Sequence, residues 1–176
     1  MSLIGQARTT RPVHPRGELL HGRLYRHGLW PATEATWLDE PGRDDVLVRL
    51  SRPDSLALRI PVGGGRSGDL LLTGTGGLLG RYVLGAARPP QARTLTTTLD
   101  YRTPTGDGVV LGARANGVES FELTCATEDG DVRVFADLRL SRRPVDADVA
   151  FDPVRHRLPG LDPRPGAERL RYPRSA

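Results

Sequence analysis

The chain contains no lysine: all 25 of its Lys-plus-Arg positions are arginine. Together with a high content of Ala, Gly and Pro, this is the pattern that a GC-rich coding sequence produces. The sequence pI of about 9.9 is therefore a poor guide to partners. Net charge is only +4, and 21 acidic residues are interspersed with the bases. No run of arginines is interleaved with aromatics to stack bases or follow a phosphate backbone, so no nucleic-acid partner is expected. There is one cysteine, Cys125, which excludes an internal disulfide and a Cys-based metal cluster. It lies in a strand-like run and reads as a small buried apolar residue. Aromatics make up 5% of the chain, so the core must rest on Leu, Val and Ala. No apolar run approaches the roughly 20 residues of a membrane-spanning helix. Residues 1–10 carry no apolar core of a secretory signal, which makes the cytoplasm the expected location and a membrane partner unexpected. Paired carboxylates, a G-x-S-x-G elbow and an H-E-x-x-H pair are also missing, so hydrolytic machinery is not in view.

What is present is the material of one domain. The 176 residues, 38% hydrophobic and 26% charged, are enough to bury a core. Residues 1–17 are polar and read as an arm. Strand character follows at 18–26, and 27–44 reads as an irregular connection. In 45–51, Val46, Val48 and Leu50 alternate with Leu47 and Arg49. In 55–62, Leu56, Leu58, Ile60 and Val62 share a face. Residues 63–68 form a turn and 69–73 a short apolar strand. Leu78, Leu79, Tyr82, Val83 and Ala86 recur at helical spacing within 76–87, before Arg88-Pro89-Pro90 ends the run. Four further strands, 93–103, 109–115, 118–127 and 132–141, are joined by short turns. Asn116-Gly117 suits a type I′ turn. The expected fold class is mostly β: an antiparallel barrel over 18–141, with one short helix and an irregular C-terminal tail at 142–176 packed on the same domain.

Arg11-Pro12-Val13-His14-Pro15-Arg16-Gly17, then Gly22 and Leu24, resembles the R-x-V-H-A-[KR]-G…G-x-F signature of the haem-dependent catalase family, with Leu24 where an aromatic is usual. Val48-Arg49-Leu50-Ser51 is similar to the A-R-F-S strand, 55–60 to R-G-F-A-L-K-F, and 69–73 to W-D-L-V-G-N. The later strands around Phe121 and Val132 are similar to those near F-x-F-V-N and V-K-F-H, so the resemblance spans about residues 11–141. It implies a catalase-like barrel and haem. His14 would be the distal acid–base residue, Ser51 its orienting partner and Arg49 a propionate anchor. Thr73 stands where the family has Asn, keeping a hydroxyl but not the amide's two donors. The family's iron ligand is a tyrosinate in R-x-x-x-Y. Here the tail offers Tyr172, preceded four residues earlier by Glu168 rather than Arg. Assembly into homo-oligomers is implied by the same analogy.

Two readings of function stand. One is a small catalase-related, haem-binding oxidoreductase acting slowly on hydrogen peroxide or an organic hydroperoxide. The other is a non-enzymatic, degenerate barrel that binds a small apolar ligand or a protein partner. Gly63-Gly64-Gly65-Arg66-Ser67-Gly68 satisfies G-x-G-x-x-G but precedes a strand, so it reads as a hairpin loop. Gly74-Thr75-Gly76-Gly77 stands between a strand and a helical run and is a third, weaker candidate, for an anion. His21 and His27 have no acid or Cys at ligand spacing and read as surface or barrel residues, and His156 reads as surface-exposed.

Overall fold

A computed structural model describes residues 17–51, 55–74 and 94–164. Ten strands form one continuous antiparallel sheet: β1 Glu18–Arg26, β2 Gly42–Ser51, β3 Ser55–Gly63, β4 Arg66–Thr73, β5 Thr94–Thr97, β6 Tyr101–Arg102, β7 Gly108–Ala115, β8 Ser120–Thr127, β9 Val132–Pro144 and β10 Asp162–Pro163. The sheet closes on itself because β7 pairs with both β5 and β8. The ring runs β1-β2-β3-β4-β5-β7-β8-β9 and back to β1, and β6 and β10 extend it beside β7. Closure leaves none of these eight strands as a free edge.

The alternation read from the sequence sets the two faces. Val46, Val48, Leu50, Leu56, Leu58, Ile60, Leu70 and Leu72 point inward and join Leu24, Leu111, Leu123, Phe135 and Leu138 in the main core. The interior is packed with side chains rather than hollow: Leu58, Leu70, Phe135 and their neighbours are essentially free of solvent contact. A second, smaller cluster lies outside the wall, where Leu19, Ala57 and Leu71 meet Phe151.

The strands at 18–26 and 55–62 appear where expected, and residues 63–65 turn the β3–β4 hairpin with φ of +85°, +59° and +70°. Several details differ: β2 begins at Gly42 rather than 45, β4 at Arg66 rather than 69, β9 runs on to Pro144, and the tail expected to be irregular adds β10. The run 93–103 is two strands, not one, because the backbone at 98–100 leaves the β7 ladder: Thr98 N–H donates to Leu71 O and Asp100 O accepts from Arg164 N–H. Neither Asn116 nor Gly117 has positive φ, so there is no type I′ turn. Instead Asn116 N–H donates to Ser120 O, Glu119 O accepts from Leu140 N–H, and β8 starts at Ser120 rather than 118. Within the connection 27–44 there is a short helix, α1, Thr36–Asp39, whose Trp37 and Leu38 enter the core; Trp37 meets Phe135 edge-on at 5.6 Å. The helix read at 76–87 lies outside the described residues.

Cys125 is buried in the core, as expected, and burial pushes its thiol pKa from 9.0 up to about 12. Below pH 9.0 the thiol is protonated in the folded and the unfolded chain alike. Between 9.0 and about 12 only the unfolded chain loses the proton, so stability falls as pH rises through that window. Denaturant titrations across that range should show a shallower alkaline loss of stability for Cys125→Ala than for the parent protein. Equal slopes would mean the thiol is not shielded.

Candidate functional site

Beyond β9 the chain turns back over the outside of the barrel. Val145 N–H donates to Leu19 O at 2.7 Å, and Phe151 settles on the outer wall. What holds the next stretch is Asp69, whose side chain in β4 is wholly buried. Arg59 stands opposite it across the hairpin and donates Nε to Oδ1 at 2.8 Å and Nη2 to Oδ2 at 2.7 Å. This two-point pairing raises the Arg59 pKa above its already high ordinary value. Two groups from the C-terminal stretch complete the shell: Asp152 N–H donates to Oδ2 at 2.7 Å, and His156 Nδ1 lies 2.9 Å from the same oxygen. Asp69 N–H in turn donates to His156 O at 2.8 Å.

The tautomer of His156 follows from counting hydrogens. Arg59 Nη2 carries two, and they go to Asp69 Oδ2 and to Ala150 O, the latter at 2.7 Å. None is left for His156 Nδ1, although the two nitrogens are 3.0 Å apart. Nδ1 must therefore hold the proton and donate it to Asp69. Nε2 makes no hydrogen bond to any described residue. His156 was expected on the surface; it is instead half-buried, its ring held by a buried carboxylate on the outer face of the wall.

Beside it is a cavity of about 480 Å³ between the β3–β4 hairpin and the 155–159 stretch. Val62, Gly65, Arg66 and Ser67 line one side, and Arg155, His156, Arg157, Leu158 and Pro159 the other. No acidic residue is in the lining. Leu158 is pressed so closely onto β4 that a Cβ on Gly68 would collide with it, which brings this wall of the cavity tight against the strand.

The residues singled out by the catalase resemblance lie elsewhere. Ser51 pairs with Ser55, and Ser55 with Thr73, so the three hydroxyls form a row across the outer faces of β2, β3 and β4. Thr96 on β5 extends the row, and its hydroxyl is buried with no hydrogen-bond partner among the described residues. Gly17 packs against this row: a Cβ there would run into Ser51 Oγ. The register thus places Ser51 and Thr73 on the same outer face, on either side of Ser55, and His14 precedes Gly17 by three residues in the sequence. His14 and Tyr172 themselves lie outside the described residues, as does the Gly74–Gly77 motif beyond Gly74. Arg49 shares the outer face with Ser51, but it is only 8% exposed, and its guanidinium sits 5.3 Å from the centre of the Phe151 ring. Arg59 packs on the same ring at 5.4 Å. The row and the cavity are at opposite ends of β3, separated by about 25 Å at the usual rise per strand residue.

Among the described residues, no group of three His, Cys, Asp or Glu could hold a metal, and no helix is long and apolar enough to cross a membrane. No protein-family description matches the chain. No curated protein matches it either.

The pinning of the tail through Asp69 can be tested directly. Asp69→Asn leaves Arg59 without its counter-charge, and removing one member of a buried pair costs about 3–5 kcal/mol. Urea titration should show a loss of that order, and limited proteolysis should cut within 145–164 faster than in the parent. An unchanged midpoint and cleavage rate would show that the carboxylate does not hold the tail.

Proposed function

We propose that this chain is a catalase-related barrel used as a small-ligand binder, working in the cytoplasm through a site on the outside of its wall. The observation that supports this most is the contrast between a filled interior and the outer cavity beside His156. The core side chains leave the barrel no lumen for an apolar ligand, whereas the cavity, at about 480 Å³, is of ligand size and has a polar, arginine-rich lining. The buried Asp69 behind His156 gives that lining a fixed element, because a ligand-facing ring whose other nitrogen is held does not have to be ordered on binding.

The barrel then serves as a scaffold and the ligand is polar. Titrating isotope-labelled protein with a panel of small anionic, cationic and neutral compounds, followed by amide chemical shifts, should move residues 62–67 and 155–159 with at least one compound. A panel that moves none of them overturns the reading.

A second reading, a haem-binding oxidoreductase acting on hydrogen peroxide or an organic hydroperoxide, is favoured by one observation: Gly17 lies against Ser51, and Ser51, Ser55 and Thr73 stand in register. The described residues do not fit haem well. Arg49, the expected propionate anchor, is 8% exposed with its guanidinium against the Phe151 ring. No catalytic step is assigned to the group on this basis. Hemin titration decides the matter: a saturable one-to-one Soret band that Tyr172→Phe displaces would support the reading, and a folded protein with no specific band would remove it.

A further inference from the structure

We infer that the cavity between the β3–β4 hairpin and the 155–159 stretch is a site for a phosphate monoester, with His156 Nε2 as the group that shares a proton with the phosphate. This inference deepens the ligand-binding reading and rests on it.

The first argument is charge. Three guanidiniums, Arg66, Arg155 and Arg157, line the cavity. The Arg66 side chain makes no hydrogen bond or ion pair with any described residue. Arg155 approaches Asp152 only at 3.8 Å, and its side chain is 78% exposed. Arg157 reaches Asp162 at 3.3 Å and Val154 O at 3.2 Å, contacts long enough to yield to a better acceptor. Asp69, behind His156, is already saturated by Arg59, Asp152 N–H and the His156 ring. The cavity therefore presents several guanidinium donors, and no acidic residue is among its lining.

The second argument is the proton, and it separates phosphate from carboxylate. With Nδ1 held by Asp69, Nε2 is the ring nitrogen left to a ligand in the cavity that His156 lines. A carboxylate, ionised at neutral pH, offers only lone pairs and would be repelled by Nε2 unless the ring took up a proton. A phosphate monoester has its second ionisation near pH 6, so around neutrality it passes between a form with an O–H and a form without. It can donate to Nε2 in the first form and accept from the protonated ring in the second, while its remaining oxygens meet the arginines. A diester has no such O–H and carries a single charge, so it satisfies fewer of these groups. Asp69 stabilises the ring in either case, since Nδ1–H remains a donor to it throughout.

Phenyl phosphate, inorganic phosphate, dimethyl phosphate and benzoate distinguish these cases when titrated into the full chain, with amide shifts and the His156 ring nitrogens followed together. Phenyl phosphate and inorganic phosphate should saturate, moving Nε2 more than Nδ1, and should bind at least about tenfold more tightly than benzoate or dimethyl phosphate, as charge-assisted contacts of this number warrant. His156→Gln should weaken phenyl phosphate binding by about tenfold. Because that variant also loosens the tail, Arg66→Gln is the cleaner companion: its side chain supports nothing in the described fold, and it too should lower affinity severalfold. Equal binding of benzoate, or unchanged phosphate affinity in both variants, overturns the inference. If neutral or cationic compounds shift the cavity residues while phosphates do not, this inference fails and the ligand-binding reading survives. If nothing shifts them, both fail.

Discussion

The carboxylate of Asp69 stands on the outer face of the barrel wall, buried beneath the returning chain, and a charge out of reach of water is tolerated only when donors surround it. Arg59 supplies two of them from the neighbouring strand, and the returning chain supplies the backbone N–H of Asp152 and the ring of His156. The last two come from residues with no regular secondary structure. For them Asp69 does what a strand ladder does elsewhere, fixing where the backbone lies. Phe151 is then held over the outer wall between two guanidiniums, Leu158 is pressed onto β4, and His156 faces outward with one nitrogen committed. The cavity owes its second side to this one buried group.

Closure of the sheet explains why the interesting chemistry lies outside. A closed eight-strand ring with Leu, Val and Phe pointing inward has room for its own side chains and no more. The outer face carries the polar and charged residues: Arg49, Ser51, Ser55, Arg59, Asp69 and Thr73 all lie on it. Along β3 they divide into two groups, a hydroxyl row at one end and the arginine-lined cavity at the other. The catalase resemblance concerns the first group. The cavity belongs to the second, so the outer wall carries a candidate site apart from the residues that carry that resemblance.

The barrel was legible in the sequence because its signal is local. Alternation in 45–51 and 55–62, the glycine turn at 63–65 and the short loops of the later meander each follow from side-chain period and turn chemistry, which need no knowledge of distant residues. The errors came where distant residues intervene. The 93–103 run breaks because β4 and the C-terminal stretch take its backbone groups, and the Asn116-Gly117 turn gives way because Glu119 O is claimed by β9. His156 looked like an exposed histidine because its partner is 87 positions away. One clue was available: Arg59 and Asp69 stand symmetrically about the three-glycine turn, so the hairpin register alone places them opposite each other and implies an ion pair on the wall.

By itself the sequence determined the strand faces, the content of the core, the burial of Cys125 and the absence of a lysine-rich or disulfide-based design, since all of these depend on residue type and spacing. Only the tertiary structure decided that the sheet closes through β7 and β8, that Arg49 is covered by Phe151, and that a carboxylate in β4 captures a histidine from the tail. Those contacts join residues far apart in the chain, and a side chain's charge and period say nothing about which distant partner the closed barrel will bring to it.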